Sequence, residues 1–308
     1  MPPTNIAFLI LPNVHLLDLA GPDQVFLEAL DYGANIKIHY CSFEHGLQTS
    51  AHLPFGEVQN YADVLLQRGD YLIVPGADIQ YLSSKQLTSQ KALFRWVREA
   101  HSKGVNVCSV CTGSFFLGEA GLLENRECTT HWKRVHELQS RFMSARVQEN
   151  VLFTEDDGVL TSAGVASGID LALHIVSKLT DDYFSFQVAR EIVVYSRRAG
   201  NQAQQSVFLS YRNHIHSGVH KVQDWLQENL HRKSNLGDLS EIACMSTRTL
   251  TRTFKKETGI TINDYITLLR KERIQKLLKN PDISKAEIAK QCGLQSERQV
   301  SRIIAERQ

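Results

Sequence analysis

Apolar residues in the first two thirds of the chain gather in short unbroken runs: Ile6 to Leu11, Ile36 to Cys41, Tyr71 to Val74 and Val105 to Val110. Between them lie longer stretches, Leu19 to Leu30 and Leu87 to His101, in which apolar and polar positions mix as on an amphipathic helix. Runs without polar alternation fit strands buried on both faces of a mostly parallel sheet, and the alternation with helical segments is a βαβ rhythm. Pro12 and Pro75-Gly76 follow their strands directly, and Cys111-Thr112-Gly113 follows Val105 to Val110. These three loops are expected at the carboxyl edge of the sheet, where open α/β sheets bind ligands. A last strand pair around Val151 to Phe153 and Val159 to Thr161 leads through Gly164 and Gly168 into a helix from about Ile169 to Lys178.

After Tyr195 the pattern gives way to a polar stretch without periodicity, read as a connector over 196–214. Beyond it everything reads as helix. Val219, Val222, Trp225 or Leu226, and Leu230 recur at helical spacing, and Ile262, Ile266, Leu269, Ile274 and Leu277 mark a longer helix. Ser284 with Glu287, and Ser296 with Gln299, have the spacing of capping boxes. Leu239 to Phe254 reads as a short helix, a tight turn at Met245-Ser246, and a second helix bearing Arg248, Thr249, Arg252, Lys255 and Lys256. This is helix-turn-helix spacing. A second copy follows about fifty positions later: Ile288, Ala289, Cys292 and Leu294 echo Leu239, Ser240, Ala243 and Met245, while Val300 and Arg302 echo Leu250 and Arg252. Small residues such as Ala243 and Cys292 suit the point where two such helices touch, and basic residues on the outer face suit a major groove. A plain helical bundle with a basic face is the alternative.

At 308 residues the chain exceeds one ordinary core, which supports a domain at 1–195 and another at 215–308. With 43% hydrophobic and 22% charged residues it reads as a soluble globular protein, neither fibrous nor disordered. The net charge of +1 hides an asymmetry: split near residue 214, Lys+Arg divide as 17 and 17 but Asp+Glu as 22 and 11, leaving halves of −5 and +6. A compact basic C-terminal half points to nucleic acid. Six cysteines are too sparse for a disulfide framework and read as reduced thiols. No basic region precedes Ile6 to Leu11, and Pro12 interrupts that run, so neither a signal peptide nor a membrane span is expected and the protein is placed in the cytoplasm.

Candidate chemistry lies at Val107 to Gly113, which puts Cys111 at a sharp strand-to-helix turn of the nucleophile-elbow kind. A thiol there meets the start of the next helix, which favours thiolate, and nearby N–H groups suit an oxyanion. His131 and Asp18 are candidates to orient or activate it. Cysteine as a small residue in a crowded turn is the plainer reading. Cys108-x-x-Cys111 with Cys128-x-x-His131 has zinc-site spacing, but Cys108 falls inside a buried strand, which opposes a knuckle and equally a thioredoxin-like pair. No metal or cofactor is expected.

Leu-x-x-x-Ala-x-Met-Ser-x-Arg-x-Leu-x-Arg-x-Phe, the run Glu257-Thr258-Gly259-Ile260-Thr261 and the helix from Tyr265 resemble the AraC/XylS transcription-regulator module over about residues 215–304. The resemblance implies two helix-turn-helix units, at about 236–257 and 285–304, entering successive major grooves. Base contacts are then assigned mainly to Thr247, Arg248, Thr249, Thr251 and Arg252, with phosphate contacts from Lys255 and Lys256 and second-unit contacts from Ser296, Arg298, Gln299 and Arg302. The second unit departs from the family in carrying Val300 and Ile304 where large aromatics usually sit, and in reaching Gln308 without the usual closing helix. It is therefore expected to grip backbone while the first unit reads sequence.

Val-Pro-Gly at 74–76, Ser-Val-Cys-Thr-Gly at 109–113, Gly118-Glu-Ala-Gly-Leu-Leu, Thr129-Thr-His-Trp132 and Thr161 to Leu173 resemble the ThiJ/PfpI branch of the class I glutamine amidotransferase superfamily, above all members fused to an AraC module. The implied fold is a flavodoxin-like, mostly parallel sheet sandwiched by helices, followed by an all-α domain. The implied ligand site is Asp18, Gly76 and Ala77 at the oxyanion turn, Cys111, Thr112 and His131. Ala77 replaces a frequent second glycine. These resemblances imply a regulator, mostly activating, that binds promoter DNA, meets RNA polymerase, forms a homodimer and answers a small-molecule effector. The alternative is a cysteine-dependent enzyme of the isonitrile hydratase or amidase type, with Cys111, His131 and Asp18 as its catalytic candidates.

Overall fold

The N-terminal chain runs β1 (Thr4–Leu9), α1 (Leu16–Asp31), β2 (Ile36–Ser42), β3 (Gln59–Asn60), β4 (Tyr71–Val74), α2 (Ile79–Leu82), α3 (Lys85–Thr88), α4 (Lys91–Ser102), β5 (Asn106–Val110), α5 (Gly113–Glu119), β6 (Glu127–Cys128), α6 (Val135–Arg141), β7 (Arg146–Val147), β8 (Phe153–Asp156), β9 (Val159–Ser162), α7 (Ala166–Leu179) and α8 (Asp182–Glu191). The computed structural model describes residues 2–164, 166–194, 200, 207, 211, 212, 214–232, 234–278, 280 and 283–305. The chain divides into two compact units, Met1–Gln204 and Gln205–Gln308.

Seven strands form one sheet in the order β3-β2-β1-β4-β5-β9-β8, parallel throughout except where β8 runs antiparallel to β9. The unbroken apolar runs are explained by two cores, one on each face. Ile6 and Phe8 pack with Val25 and Phe26 of α1 and Leu171 and Ile175 of α7, whereas Ala7 and Leu9 pack with Leu93 and Val97 of α4 and Phe115 and Phe116 of α5. Burying a Leu or Phe side chain fully stabilises by about 1.5–3 kcal/mol, so a strand filled on both faces holds its register strongly.

Two expected boundaries need correction. Leu87 to His101 is not one helix: Leu87 belongs to α3, and α4 starts at Lys91 after a break at Gln90, whose ψ of 58 is not helical. The last strand pair begins at Phe153 rather than Val151. The four spaced groups Cys108, Cys111, Cys128 and His131 do not converge, because Cys108 packs in the core on the α1 and α7 face and Cys128 in the core on the other.

The C-terminal unit runs α9 (Ser217–Glu228), α10 (Leu236–Ala243), α11 (Thr247–Thr258), α12 (Ile262–Leu277), α13 (Lys285–Gln291) and α14 (Glu297–Ala305). It has two cores. Val219, Val222 and Leu226 of α9 pack with Leu239, Ala243, Leu250, Phe254 and Tyr265. Ile274 at the far end of α12 packs with Ile288, Ala289, Cys292, Val300 and Ile303. Helix α12 therefore contributes to both. Its start carries a reciprocal capping box, Thr261 with Asp264, that the sequence reading passed over. At Ser284 the hydroxyl accepts from Glu287 N–H as expected. At the start of α14, Gln299 Oε1 instead accepts from Gln295 N–H at 2.7 Å, one residue before the expected cap.

The connector 196–214 lies mostly outside the described residues. Its described positions are tied down: Gly200 O accepts from Leu152 N–H, while Tyr211 packs edge-on against Tyr265 and Arg212 pairs with Asp224.

Candidate functional site

Between β5 and α5 the chain reverses across Cys111 and Thr112. Cys111 has φ 57, a left-handed conformation that costs a side-chain-bearing residue about 1–3 kcal/mol and persists only when its surroundings enforce it. They do. Cys111 N–H donates to Ser162 O at 2.9 Å, and Cys111 O accepts from Thr130 Oγ1 at 2.9 Å and Ser114 Oγ at 3.1 Å. A Cβ on Gly113 would stand 2.3 Å from Val74 O, and one on Gly164 would stand 2.2 Å from Cys111 Cβ. The elbow exists because both positions are glycine.

β1 and β4 are neighbours whose following connections lead to opposite sides of the sheet, so a crevice opens above their carboxyl ends. The loop after β1 and the start of α1 bring His15 and Asp18 there, and the loop after β4 brings Gly76 and Ala77. His15 N–H donates to Gly76 O at 2.7 Å and ties the two loops together. Asp18 is 1% exposed and lies 3.2 Å from His15 Nδ1. The candidate donor atoms of His15, Asp18 and Cys111 all fall within 4.8 Å of one another. A Cβ at Gly76 would stand 2.4 Å from Asp18 Oδ2 and 2.9 Å from Thr112 Oγ1, so this position too admits only glycine.

Thr112 Oγ1 donates to Ala77 O at 2.8 Å and accepts from Ala77 N–H at 3.1 Å. The Ala77 N–H assigned to an oxyanion turn is therefore already engaged. Burial pushes the Cys111 thiol up, and the Asp18 carboxylate beside it pushes it further, outweighing the backbone N–H of Thr112 that favours thiolate. The helix start that favours thiolate is thus opposed here by burial and by the neighbouring Asp18.

A cavity of about 350 Å³ opens onto Cys111 and Thr112, lined also by His15, Asp78, Ile79, His131, Lys133 and Arg134. His131 is on its rim, its Nδ1 accepting from Lys133 N–H at 3.3 Å and its ring stacked on Trp132. Burial and Lys133 hold its imidazole below the usual histidine range. The imidazole grouped with Cys111 and Asp18 is His15, which the sequence reading missed. Its signal was present as His15-Leu-Leu-Asp18, a spacing that places two side chains on one face at a helix start.

In the other unit, α10 ends at Cys244, itself left-handed at φ 53, and α11 starts from Ser246, whose hydroxyl accepts from Thr249 N–H. Leu250 and Phe254 of α11 are fully buried, while Thr247, Arg248, Thr249, Thr251, Arg252, Lys255 and Lys256 are exposed on its outer side. Two of the threonine hydroxyls serve the helix: Thr249 Oγ1 bonds Ser246 Oγ, and Thr251 Oγ1 donates to the Thr247 and Arg248 carbonyls. Lys256 lies 3.7 Å from the Glu257 carboxylate. In the second unit Ser296, Arg298 and Arg302 are exposed, but Gln299 is half-buried and spent on the Gln295 N–H. Val300 fills the second core, and Ile304 stays outside it.

The DJ-1/PfpI family model matches residues 4–178, more than half of the chain. The chain belongs to the DJ-1/PfpI family. A helix-turn-helix domain model matches residues 239–307, so the DJ-1/PfpI domain is joined here to a C-terminal helix-turn-helix domain. The HTH-type transcriptional regulator GbdR of Pseudomonas aeruginosa is 29% identical over 307 residues, spanning 96% of this chain and 79% of GbdR. The HTH-type transcriptional regulator CdhR of the same species is 29% identical over 213 residues, 68% of this chain and 62% of CdhR, so the matched part is less than two thirds of that protein. An isonitrile hydratase of Pseudomonas putida is 30% identical over 176 residues, covering 57% of this chain and 72% of the hydratase. That match falls short of the chain's full length, whereas the match to GbdR takes in nearly all of it.

Proposed function

We propose that this DJ-1/PfpI protein is a sequence-specific DNA-binding regulator of transcription, with a small-molecule effector bound in the Cys111 cavity. The observation that carries the reading is the outer side of α11, where seven polar and basic side chains stand exposed over buried Leu250 and Phe254. A helix so divided suits a major groove, with Arg248 and Arg252 as the side chains able to take guanine bidentately. Arg298 and Arg302 of the second unit then hold phosphates in the next groove. Two copies of the chain would bind paired half-sites at high effective concentration, and an effector that prefers one arrangement shifts the contact with promoter and RNA polymerase. No helix among the described residues is long and apolar enough to cross a membrane, and the site of action proposed is the cytoplasm.

The test is retention of genomic fragments by the purified protein at near-physiological salt. Enrichment of a few promoter regions, with affinity falling steeply as salt is raised, is the expected outcome. Retention independent of sequence sinks the reading. An enzymatic reading is favoured by one feature, the Cys111 elbow beside Asp18 and Thr112, together with the isonitrile hydratase match. Hydration of an isonitrile by the wild-type protein but not by Cys111→Ser would establish it.

A further inference from the structure

We propose that His15, Asp18 and Cys111 form a three-ligand site for a divalent cation of the zinc class, with a fourth position facing the cavity. The set offers an imidazole nitrogen, a carboxylate oxygen and a sulfur, which are the donors borderline-soft cations take. Hard cations such as magnesium, which want all-oxygen shells, are excluded by the same set.

The spacing supports it. Bonds of about 2.0 Å to nitrogen and oxygen in a tetrahedron put those two donors about 3.3 Å apart. His15 Nδ1 and Asp18 Oδ2 stand 3.2 Å apart, and Cys111 completes a triangle no side of which exceeds 4.8 Å. The donors are also held in place before any ion arrives. His15 occupies the cap position of α1, yet its ring makes no capping bond and turns to Asp18 instead. Its N–H is fixed to Gly76 O, and Asp18 N–H donates to His15 O at 3.0 Å. Around them, Gly76 and Gly164 keep side chains out of the space beside the Asp18 oxygen and the Cys111 sulfur, where a Cβ would come within 2.4 and 2.7 Å. Side chains so fixed lose little freedom on coordination.

Three protein ligands and an open side are the pattern of a site that exchanges its fourth ligand. His15 and Cys111 both line the cavity, so that fourth position is open to water or to a small molecule able to donate a lone pair. On binding, the Cys111 thiol proton leaves to solvent, and His15 coordinates through Nδ1 with its own proton on Nε2. The proposal shares the cavity with the regulatory reading but does not depend on it, because cation binding is claimed whether or not the C-terminal unit reads DNA.

The test titrates metal-free, full-length protein with Co²⁺ and then adds Zn²⁺. One equivalent of Co²⁺ is expected to give thiolate-to-cobalt charge-transfer absorption with tetrahedral d–d bands, both abolished when Zn²⁺ displaces it. Cys111→Ser should remove the charge-transfer band, Cys244→Ser should keep it, and His15→Ala should weaken Co²⁺ binding about tenfold or more. His15 is half-buried, so its variant remains a fair probe should Cys111→Ser fold poorly. A wild-type spectrum without the thiolate band, a band that survives Cys111→Ser, or unchanged affinity in His15→Ala would each overturn the site. Promoter retention by the metal-free protein is scored separately, so failure of either idea is visible without the other.

Discussion

Two cysteines of this chain stand in the same rare conformation, Cys111 at φ 57 and Cys244 at φ 53, each just ahead of a helix. Their surroundings differ in every other respect. Cys111 is 4% exposed, hydrogen-bonded through both backbone groups, and pressed by a glycine on each side; Cys244 is exposed at a bend between two helices. The equivalent bend of the second helix-turn-helix unit uses Gly293 at φ 63. A left-handed cysteine therefore means nothing alone. At 244 it satisfies a turn that glycine satisfies as well, whereas at 111 the fold accepts strain in order to present a sulfur to Asp18 and a cavity.

The largest effect should come from breaking the enclosure of Cys111. In Gly164→Ala the new methyl meets Cys111 Cβ at 2.2 Å, and the residue sits at φ 91, where a side chain is strained in any space. Overpacking and backbone strain add, so a loss of about 3 kcal/mol or more is expected in urea unfolding of the N-terminal transition. A loss below about 1 kcal/mol would mean the elbow can relax, and the strain would then carry no functional message.

The exposed helix that Cys244 introduces should respond in the opposite manner, with function lost and stability kept. Arg252→Ala removes an exposed side chain from α11, and promoter affinity is expected to fall by about 1–3 kcal/mol with little change in melting temperature. Arg302→Ala in α14 should weaken binding to all sequences about equally, by less than Arg252→Ala weakens promoter binding, and lower the salt dependence by about one unit. Equal effects of the two variants on discrimination would contradict the division between a reading unit and a gripping unit.

Much of this contrast was legible in the sequence because it follows from long-range pattern. Ile6 to Leu11 and Tyr71 to Val74 read as doubly buried strands since no polar residue interrupts them, and the two cores against α1 with α7 and α4 with α5 bear that out. The mostly parallel sheet and the helix-turn-helix spacing follow from the same kind of signal, whereas the flavodoxin-like order was implied by the family resemblance. What escaped was local. β3, β6 and β7 have two residues each, and α2 and α3 four each, too few for any period to show. His15 escaped for another reason, since its role depends on the β1 and β4 loops meeting in space. The opposing pull on the Cys111 thiol escaped for the same reason, since burial and the Asp18 carboxylate act on it only once the fold has brought them together.

The smallest predicted effect tests the cheap side of the comparison. Cys244→Gly places at the first bend the residue that the second bend already has, and it removes the cost of a side chain at positive φ. Left-handed strain of about 1–2 kcal/mol is relieved, but glycine also frees the unfolded chain by roughly 0.5–1 kcal/mol, so the net gain should lie between about zero and 1.5 kcal/mol. Cys244 is exposed and outside the buried set around Leu239, Leu250 and Phe254, so little packing is lost with the thiol. Denaturant unfolding of the C-terminal transition reads the difference, and promoter affinity should stay within twofold. A clear loss of stability would show that the Cys244 side chain holds the bend. The two left-handed cysteines would then be alike after all, each chosen for its sulfur rather than one of them for its turn.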